Sequence, residues 1–329
     1  MLRLIAIATI CLACTLSQAA TYQYFRLGNQ QDVQTKSTFG IAMMGGGSDL
    51  DEAFRWLCHK GNGGDFVILR ASGDDDYNSY VNGLCKANSV ATLIIPDKDA
   101  ALDPHVADII RQAEVVFIAG GDQSNYFRGW KGTPVEEAIN ANIGAGKPIG
   151  GTSAGLAILG EYVYACLGDR ADDKDLASTD VLPNPYFQRV TVVRDFLKIP
   201  LLKNTITDSH FAQRDRMGRT LGFLARLMQD GWSQSPHEVA IDEKSAFLVE
   251  ANGKGIAVGN GKGVYFLAPT KAPAICQDGT PLTFQGIAVT RVAAGGHFDL
   301  ATWTGSGTQY FLNVTDGKIE STQGNKSIY

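Results

Sequence analysis

Short apolar runs alternate with segments of helical pattern from residue 39 to about residue 165, and this alternation limits the possible folds most strongly. The apolar runs predict strands at 39–44, 65–69, 90–95, 115–119 and 147–150. The segments between them, at 49–59, 80–87, 105–112 and 133–143, predict helices. Nearly continuous apolar strands that alternate with helices are typical of a parallel sheet covered on both faces. We therefore predict an α/β fold with a mostly parallel sheet flanked by helices on both faces.

The two ends of the chain differ from this pattern. Arg3, the apolar residues 4–16 and the small residues 17–20 predict a signal peptide over 1–20, hence a secreted or periplasmic protein. From about residue 239 onwards, short strands and turns predominate. We predict an α/β domain over 21–268 and a β-rich C-terminal extension over 269–329.

Charge and cysteine content limit the function classes. The formal net charge is −5, and no long basic run indicates binding to nucleic acid or to a membrane. Beyond the signal peptide lie Cys58, Cys85, Cys166 and Cys276. In an exported protein they predict up to two disulfides, with Cys58–Cys85 and Cys166–Cys276 favoured and free buried thiols as the alternative.

A G-x-S-x-G motif follows the last predicted strand of the alternating region and comprises Gly151-Thr152-Ser153-Ala154-Gly155. At such a strand-to-helix turn a serine hydroxyl projects from a crowded backbone, and the amides of the following helix face a developing oxyanion. The motif therefore predicts a nucleophilic Ser153, although a tight structural turn would give the same residues.

A serine nucleophile needs a base and an orienting acid. His210 follows a predicted strand end at 206–207 and is predicted to begin a helix, with Arg214 on its face and Arg216 and Arg219 on another. Asp215 could pair with Arg219, and one or two of these arginines could bind a substrate carboxylate. Asp242 and Glu243, between two apolar runs, are both candidates for the acid.

The remaining sequence features do not indicate a ligand or metal site. The acidic runs 74–76 and 172–175 are interpreted as solvated loops. The glycines 45–47 lack the lysine of a phosphate-binding loop. No pair of cysteines, and no histidine–carboxylate cluster, has the spacing of metal ligands, so we predict neither a metal nor a cofactor.

Several separated motifs together resemble the cyanophycinase and peptidase E group of serine peptidases, family S51. The resemblance spans about 39–249 and rests on Met44-Gly45-Gly46-Gly47, Ala119-Gly120-Gly121-Asp122-Gln123, Gly150 to Gly155, Asp208-Ser209-His210-Phe211, Gln213-Arg214-Asp215-Arg216-Met217-Gly218-Arg219 and Ala240-Ile241-Asp242-Glu243. It implies a fold like that of class I glutamine amidotransferases and no metal or cofactor. It also implies cleavage of peptide or isopeptide bonds beside aspartyl residues, as when cyanophycinases release β-Asp-Arg dipeptides.

The resemblance also implies residue roles. Ser153 would be the nucleophile, His210 the base and Glu243 the third member, with Asp242 as the alternative. The amides of Gly121 and Ala154 would form the oxyanion hole. The residues lining the substrate pocket would be Gln123, Asp208, Arg214 and Arg216.

Three departures from the family pattern bear on the substrate. Ser209 stands where cyanophycinases carry glutamine, the segment before Asp242 is longer, and the β-rich tail is additional. A serine esterase or amidase on the same fold, and a non-catalytic binding protein that retains the pocket, are therefore alternatives. Enzymes of this kind are often homodimers, but no residue pattern here indicates the oligomeric state.

Overall fold

The computed structural model describes residues 22–168 and 175–329; the predicted signal peptide lies outside them. The strands are β1 Gln23–Gly28, β2 Gly40–Met44, β3 Asp65–Arg70, β4 Ser89–Ile94, β5 Val115–Ile118, β6 Ile149–Thr152, β7 Tyr162–Tyr164, β8 Val192–Arg194, β9 Thr205–Asp208, β10 His237–Ile241, β11 Ser245–Glu250, β12 Lys254–Gly259, β13 Val264–Pro269, β14 Phe284–Val292, β15 His297–Asp299, β16 Thr304–Gly305, β17 Thr308–Thr315 and β18 Lys318–Ser321. The helices are α1 Asp51–Gly61, α2 Asp76–Leu84, α3 Lys98–Ala101, α4 Pro104–Gln112, α5 Gln123–Trp130, α6 Pro134–Gly144, α7 Ala154–Ala157, α8 Ser178–Val181, α9 Met217–Gln229 and a 3-10 turn, Pro200–Leu202.

Ten strands form the first sheet, in the order β1-β4-β3-β5-β6-β2-β11-β12-β15-β16. The five strands from β4 to β2 are mutually parallel. Side chains alternate along β2, so that Ile41 and Met43 enter the core on one face and Ala42 and Met44 enter the core on the other. This two-sided burial confirms the predicted α/β fold with a mostly parallel sheet.

A second sheet of eight strands, in the order β18-β17-β14-β13-β10-β9-β7-β8, lies beside the first and packs on α9. Its β9 and β10 are parallel, whereas the strands from β13 to β18 pair antiparallel. The strands after Pro269 continue both sheets: β14, β17 and β18 extend the second, and β15 and β16 extend the first. The division of the chain at 268/269 stays a prediction.

The structure corrects the predicted helix at His210. Residues 209–216 form turns, and α9 begins at Met217. Asp242 Oδ1 accepts the amides of Ala212 and Gln213, and His210 has φ 47°, so a regular helix cannot start there. His210 and Arg214 therefore do not share a helical face, whereas Arg216, which precedes α9, and Arg219, within it, both contact Asp208. Arg219 pairs with Asp208 rather than with Asp215.

The disulfide prediction is half right. Cys58 and Cys85 are bonded and join α1 to the residue that follows α2. Cys166 and Cys276 do not form the second bridge. Across 22–168 and 175–329, no helix is both long and apolar enough to cross a membrane.

Candidate active site

Ser153 occupies a sharp turn between β6 and α7. Its backbone has φ 53° and ψ −116°, a conformation that a non-glycine residue adopts only when its surroundings enforce it. The flanking glycines are required by close backbone approach: a Cβ on Gly151 would lie 2.5 Å from the Gly155 carbonyl oxygen, and one on Gly155 would overlap the Ile118 carbonyl oxygen. The crowding predicted for the motif is therefore present.

Ser153, His210 and Glu243 form a hydrogen-bonded row, called the catalytic row below. Ser153 Oγ lies 2.7 Å from His210 Nε2, and His210 Nδ1 lies 2.6 Å from Glu243 Oε1. A carboxylate at Nδ1 favours the tautomer with its proton there, which leaves the Nε2 lone pair facing the serine hydroxyl. This arrangement can take a proton from Ser153 and stabilise the resulting imidazolium.

Three successive carbonyl groups at the end of β2 hold the segments of this row together. The carbonyls of Met44, Gly45 and Gly46 accept the amides of Ser153, His210 and Lys244, at 3.2, 2.8 and 3.0 Å. The glycines leave room for the side chains, because a Cβ on Gly46 would lie 2.5 Å from the His210 ring. The lack of a lysine argues against a phosphate-binding loop at these glycines, but no sequence pattern indicates that their carbonyl groups hold the site together.

Asp242 and Glu243, the two candidates for the orienting acid, have different partners. Asp242 is buried, and its oxygens accept the backbone amides of Ala212, Gln213 and Lys262. Glu243 stays partly exposed and contacts His210. The structure therefore brings Glu243, not Asp242, to the imidazole.

Burial lowers the pKa of His210 below its usual value. The hydrogen bond to Glu243 opposes this shift, while the positive charges of Arg214 and Arg216 add to it. A histidine with a lowered pKa is neutral at pH 7, which is the protonation state that a general base needs.

Asp208, Arg216 and Arg219 make up a buried arginine cluster behind the catalytic row. Arg219 binds both oxygens of Asp208, with Nε 2.8 Å from Oδ2 and Nη2 on Oδ1. Arg216 Nη1 contacts the same carboxylate at 3.4 Å and donates to the Ser209 carbonyl at 2.8 Å. Burial alone would raise the pKa of Asp208, but the two arginines outweigh it and hold the pKa below its usual value.

Arg216 of this cluster and the more exposed Arg214 share Asp175. Arg214 Nη1 and Arg216 Nη2 lie 2.7 and 2.9 Å from Asp175 Oδ2. Arg214 Nε is also 3.7 Å from Glu243 Oε1, so this guanidinium connects Asp175 with the catalytic row. The sequence interpretation of 172–175 as a solvated loop missed this contact, and residues 172–174 lie outside the described part of the chain.

Of the two predicted oxyanion residues, Ala154 directly follows Ser153, and Gly121 belongs to a loop that reaches Ser153 at Gly120. Ala154 begins α7, and the preceding loop approaches closely: a Cβ on Gly120 would lie 3.3 Å from Ser153 Cβ. The Tyr126 hydroxyl lies 2.9 Å from the carbonyl oxygens of Ala119 and Gly120 and so fixes the loop that carries Gly121.

Two further residues complete the description. Gln123, the first residue of α5, donates from Nε2 to the Tyr164 carbonyl at 3.3 Å.

Tyr329 is not among the site residues predicted from the sequence. Its hydroxyl accepts a hydrogen bond from the Met217 amide and donates one to Asp215, each at 2.9 Å. Its ring meets Phe211 edge-on, with 5.7 Å between the ring centroids, so it braces the turn that carries His210. No local pattern marks such a tail residue as part of the site.

Comparisons with known proteins indicate similarity to one family of peptidases. The model of peptidase family S51 matches residues 70–180. The chain is 24% identical over 217 residues to a cyanophycinase of Geminocystis herdmanii (strain PCC 6308), covering 64% of this chain and 73% of the relative. A cyanophycinase of Trichormus variabilis (strain ATCC 29413 / PCC 7937) is 26% identical over 186 residues, covering 56% of this chain and 55% of that one.

Among solved structures, a peptidase from an acI-B1 Actinobacterium has a similar fold. Its TM-score is 0.50 at 16% identity, covering 80% of this chain and 97% of the other. By the family match over residues 70–180 and the distant cyanophycinase relatives, this chain is similar to peptidase family S51, and the solved structure shows that it shares a peptidase fold.

Proposed function

We propose that the protein is a serine peptidase that hydrolyses aspartyl-linked peptide or isopeptide bonds, with Ser153 as nucleophile, His210 as base and Glu243 as the orienting acid. The observation that carries the proposal is the unbroken row of hydrogen bonds from Ser153 Oγ through the His210 ring to Glu243 Oε1. Nucleophile, base and orienting acid in mutual contact are what acyl transfer through a serine requires.

In the proposed reaction, Ser153 Oγ attacks the scissile carbonyl carbon while His210 Nε2 takes the hydroxyl proton. The carbonyl oxygen becomes an oxyanion, to which the amides of Gly121 and Ala154 donate. Collapse of this intermediate breaks the C–N bond, and His210 gives its proton to the leaving amine. Water, deprotonated by His210, then attacks the acyl-enzyme and releases the acid, which restores the Ser153 hydroxyl.

Arg214 and Arg216 support an acidic substrate. A guanidinium fork is suited to a carboxylate, and Arg214 lies between the surface and Glu243. We propose that these two side chains bind the free carboxylate of an aspartyl residue, and that Gln123 and Asp208 complete the pocket, Asp208 by holding Arg216. Release of β-Asp-Arg from a cyanophycin-like polymer is the specific reaction that the cyanophycinase relatives suggest.

The test is mass spectrometry of products after incubation with cyanophycin and with a β-aspartyl peptide library. Wild type is expected to cleave, and Ser153→Ala to lose at least about 10³-fold in rate while keeping its melting temperature. Ser48→Ala removes an exposed hydroxyl near the same edge and serves as the matched control. Full activity of Ser153→Ala would refute the serine mechanism. If the wild type cleaved only esters, the proposed aspartyl peptide substrate would be wrong and the esterase alternative would take its place.

We further propose that the protein is exported after removal of residues 1–20. The Cys58–Cys85 disulfide supports this, because such bonds persist in oxidising compartments. Expression in a host with a secretory pathway should yield a mature chain whose N-terminus is Thr21. A chain that keeps residues 1–20 and stays in the cytoplasm would contradict it.

A further inference from the structure

Asp175 occupies the position in which a bound carboxylate would lie. A single oxygen, Oδ2, accepts from Arg214 Nη1 at 2.7 Å and from Arg216 Nη2 at 2.9 Å. These are the contacts that a substrate carboxylate would make with the two guanidinium groups. The chain thus supplies its own anion to the pair of cations proposed to bind substrate.

Asp175 and Asp208 hold Arg216 from opposite directions, but only one of them can leave easily. The side chain of Asp208 is 4% exposed and is bound on both oxygens by Arg219. The side chain of Asp175 is 51% exposed, so rotation away from the arginines returns its carboxylate to water. Displacement of Asp175 therefore costs far less than displacement of Asp208.

Arg216 is built to receive an anion when Asp175 moves. Its Nη1 donates to the Ser209 carbonyl, which fixes the guanidinium whether or not Asp175 is in place. Its buried Nε has no hydrogen-bond partner within the described ranges. Loss of Asp175 would leave this buried cation with unmet hydrogen-bonding capacity, which an incoming carboxylate could satisfy.

We propose that Asp175 is an internal competitor: it occupies the two-arginine subsite in the substrate-free enzyme and moves into solvent when the carboxylate of an acidic substrate binds. This rests on the proposed function of Arg214 and Arg216 as the carboxylate subsite. Asp175 would then determine how tightly the enzyme binds its substrate and which ligands it accepts. A ligand can occupy the subsite only if its anion displaces the carboxylate of Asp175. A neutral ligand cannot compensate the arginines and is rejected.

Competition persists at every working pH. Partial burial would raise the pKa of Asp175, but Arg216 and Arg214 outweigh it and lower the pKa to about 2. The carboxylate is therefore ionised throughout the range in which peptidases are assayed, and protonation does not vacate the subsite.

The experiment is isothermal titration with N-acetyl-L-aspartate, in the Ser153→Ala background so that no turnover intervenes. Asp175→Asn keeps the shape of the side chain and removes its charge. We expect the Kd for N-acetyl-L-aspartate to fall on the order of tenfold, since a charged hydrogen-bonded competitor is lost. The Kd for N-acetyl-L-asparaginamide, which carries no charge, is expected to stay unchanged.

Asp108→Asn is the matched control, because it removes one aspartate from an exposed arginine pair on α4, away from the subsite. It is expected to leave the Kd for N-acetyl-L-aspartate as it is. An equal or higher Kd in Asp175→Asn would overturn the proposal, because Asp175 would then assist binding or play no part in it.

The two proposals fail in different ways. If N-acetyl-L-aspartate binds neither protein, the subsite and the competitor are both rejected, yet loss of hydrolysis in Ser153→Ala would still support the serine mechanism. If hydrolysis is unaffected by Ser153→Ala while Asp175→Asn tightens N-acetyl-L-aspartate binding, the competitor stands and the serine mechanism falls.

Discussion

The catalytic row and the buried arginine cluster flank the same short turn at 209–216 but handle a carboxylate in opposite ways. Glu243 in the row is 24% exposed and has the imidazole of His210 and, at 3.7 Å, the charged Arg214 as its neighbours. Asp208 in the cluster is 4% exposed and is held by Arg219 and Arg216. Because Glu243 is partly exposed and contacts the imidazole, its carboxylate can stabilise the positive charge that His210 gains on protonation. Asp208 is buried between two arginines, so its carboxylate holds those side chains in place.

The variant expected to have the largest effect is Glu243→Gln, which tests whether the charge of Glu243 acts on His210. We expect kcat/KM to fall by about 10³- to 10⁴-fold, because glutamine neither stabilises the imidazolium nor enforces the tautomer of His210. The melting temperature should change little, since the side chain is partly exposed. Peptide hydrolysis rates and thermal unfolding measure both quantities, and Glu137→Gln, an exposed position on α6, is the control. A tenfold or smaller loss would show that the row does not act as a unit.

Asp208→Asn is expected to act on stability first. Removing one partner of a buried ion pair leaves Arg219 uncompensated and should lower the free energy of unfolding by about 3–5 kcal/mol. Denaturant unfolding measures this, and Asp108→Asn, which affects an exposed pair, should change it by less than about 1 kcal/mol. If Asp208→Asn were as mild as this control, the cluster would not be the anchor described.

The smallest expected effect concerns pH. Because burial lowers the pKa of His210, the acid limb of kcat/KM should lie below the ordinary histidine value of 6.5. Activity is retained above that limb, where the ring is neutral, and is lost as the pH falls through it. In Glu243→Gln the acid limb of kcat/KM should lie at a still lower pH. The hydrogen bond that raises the pKa of His210 is lost, while the positive charges of Arg214 and Arg216, which lower it, remain. A limb at or above 6.5 in wild type would contradict the assignment of His210 as the base in this environment.

The sequence predicts best where the constraint is local. The crowding at Gly151 and Gly155 follows from the turn itself, and the strand ends that carry Ser153 and His210 follow from apolar runs beside them. The roles assigned to these residues remain predictions. Ser153 follows β6 of the first sheet and His210 follows β9 of the second, so the sequence pattern alone does not bring them together.

Contacts between distant segments account for what the sequence left open or misjudged. Asp242 and Glu243 are adjacent, and only the folded chain shows that backbone amides occupy Asp242. The positive φ of His210, which no local pattern predicts, excludes the helix predicted to begin there. Asp175 lies 39 and 41 residues from Arg214 and Arg216, so no local pattern could pair them.

The turn at the end of β2 carries the alignment of the catalytic row in its main chain. Carbonyl oxygens at Met44, Gly45 and Gly46 are common to every amino acid, so exchanging the side chains around them cannot delete them. The main-chain amides of the nucleophile, of the base and of Lys244, which follows the acid, are hydrogen-bonded to three successive carbonyl groups. We expect thermal displacement of that turn to carry all three segments together. The distances that proton transfer depends on would then vary less than the position of the row as a whole.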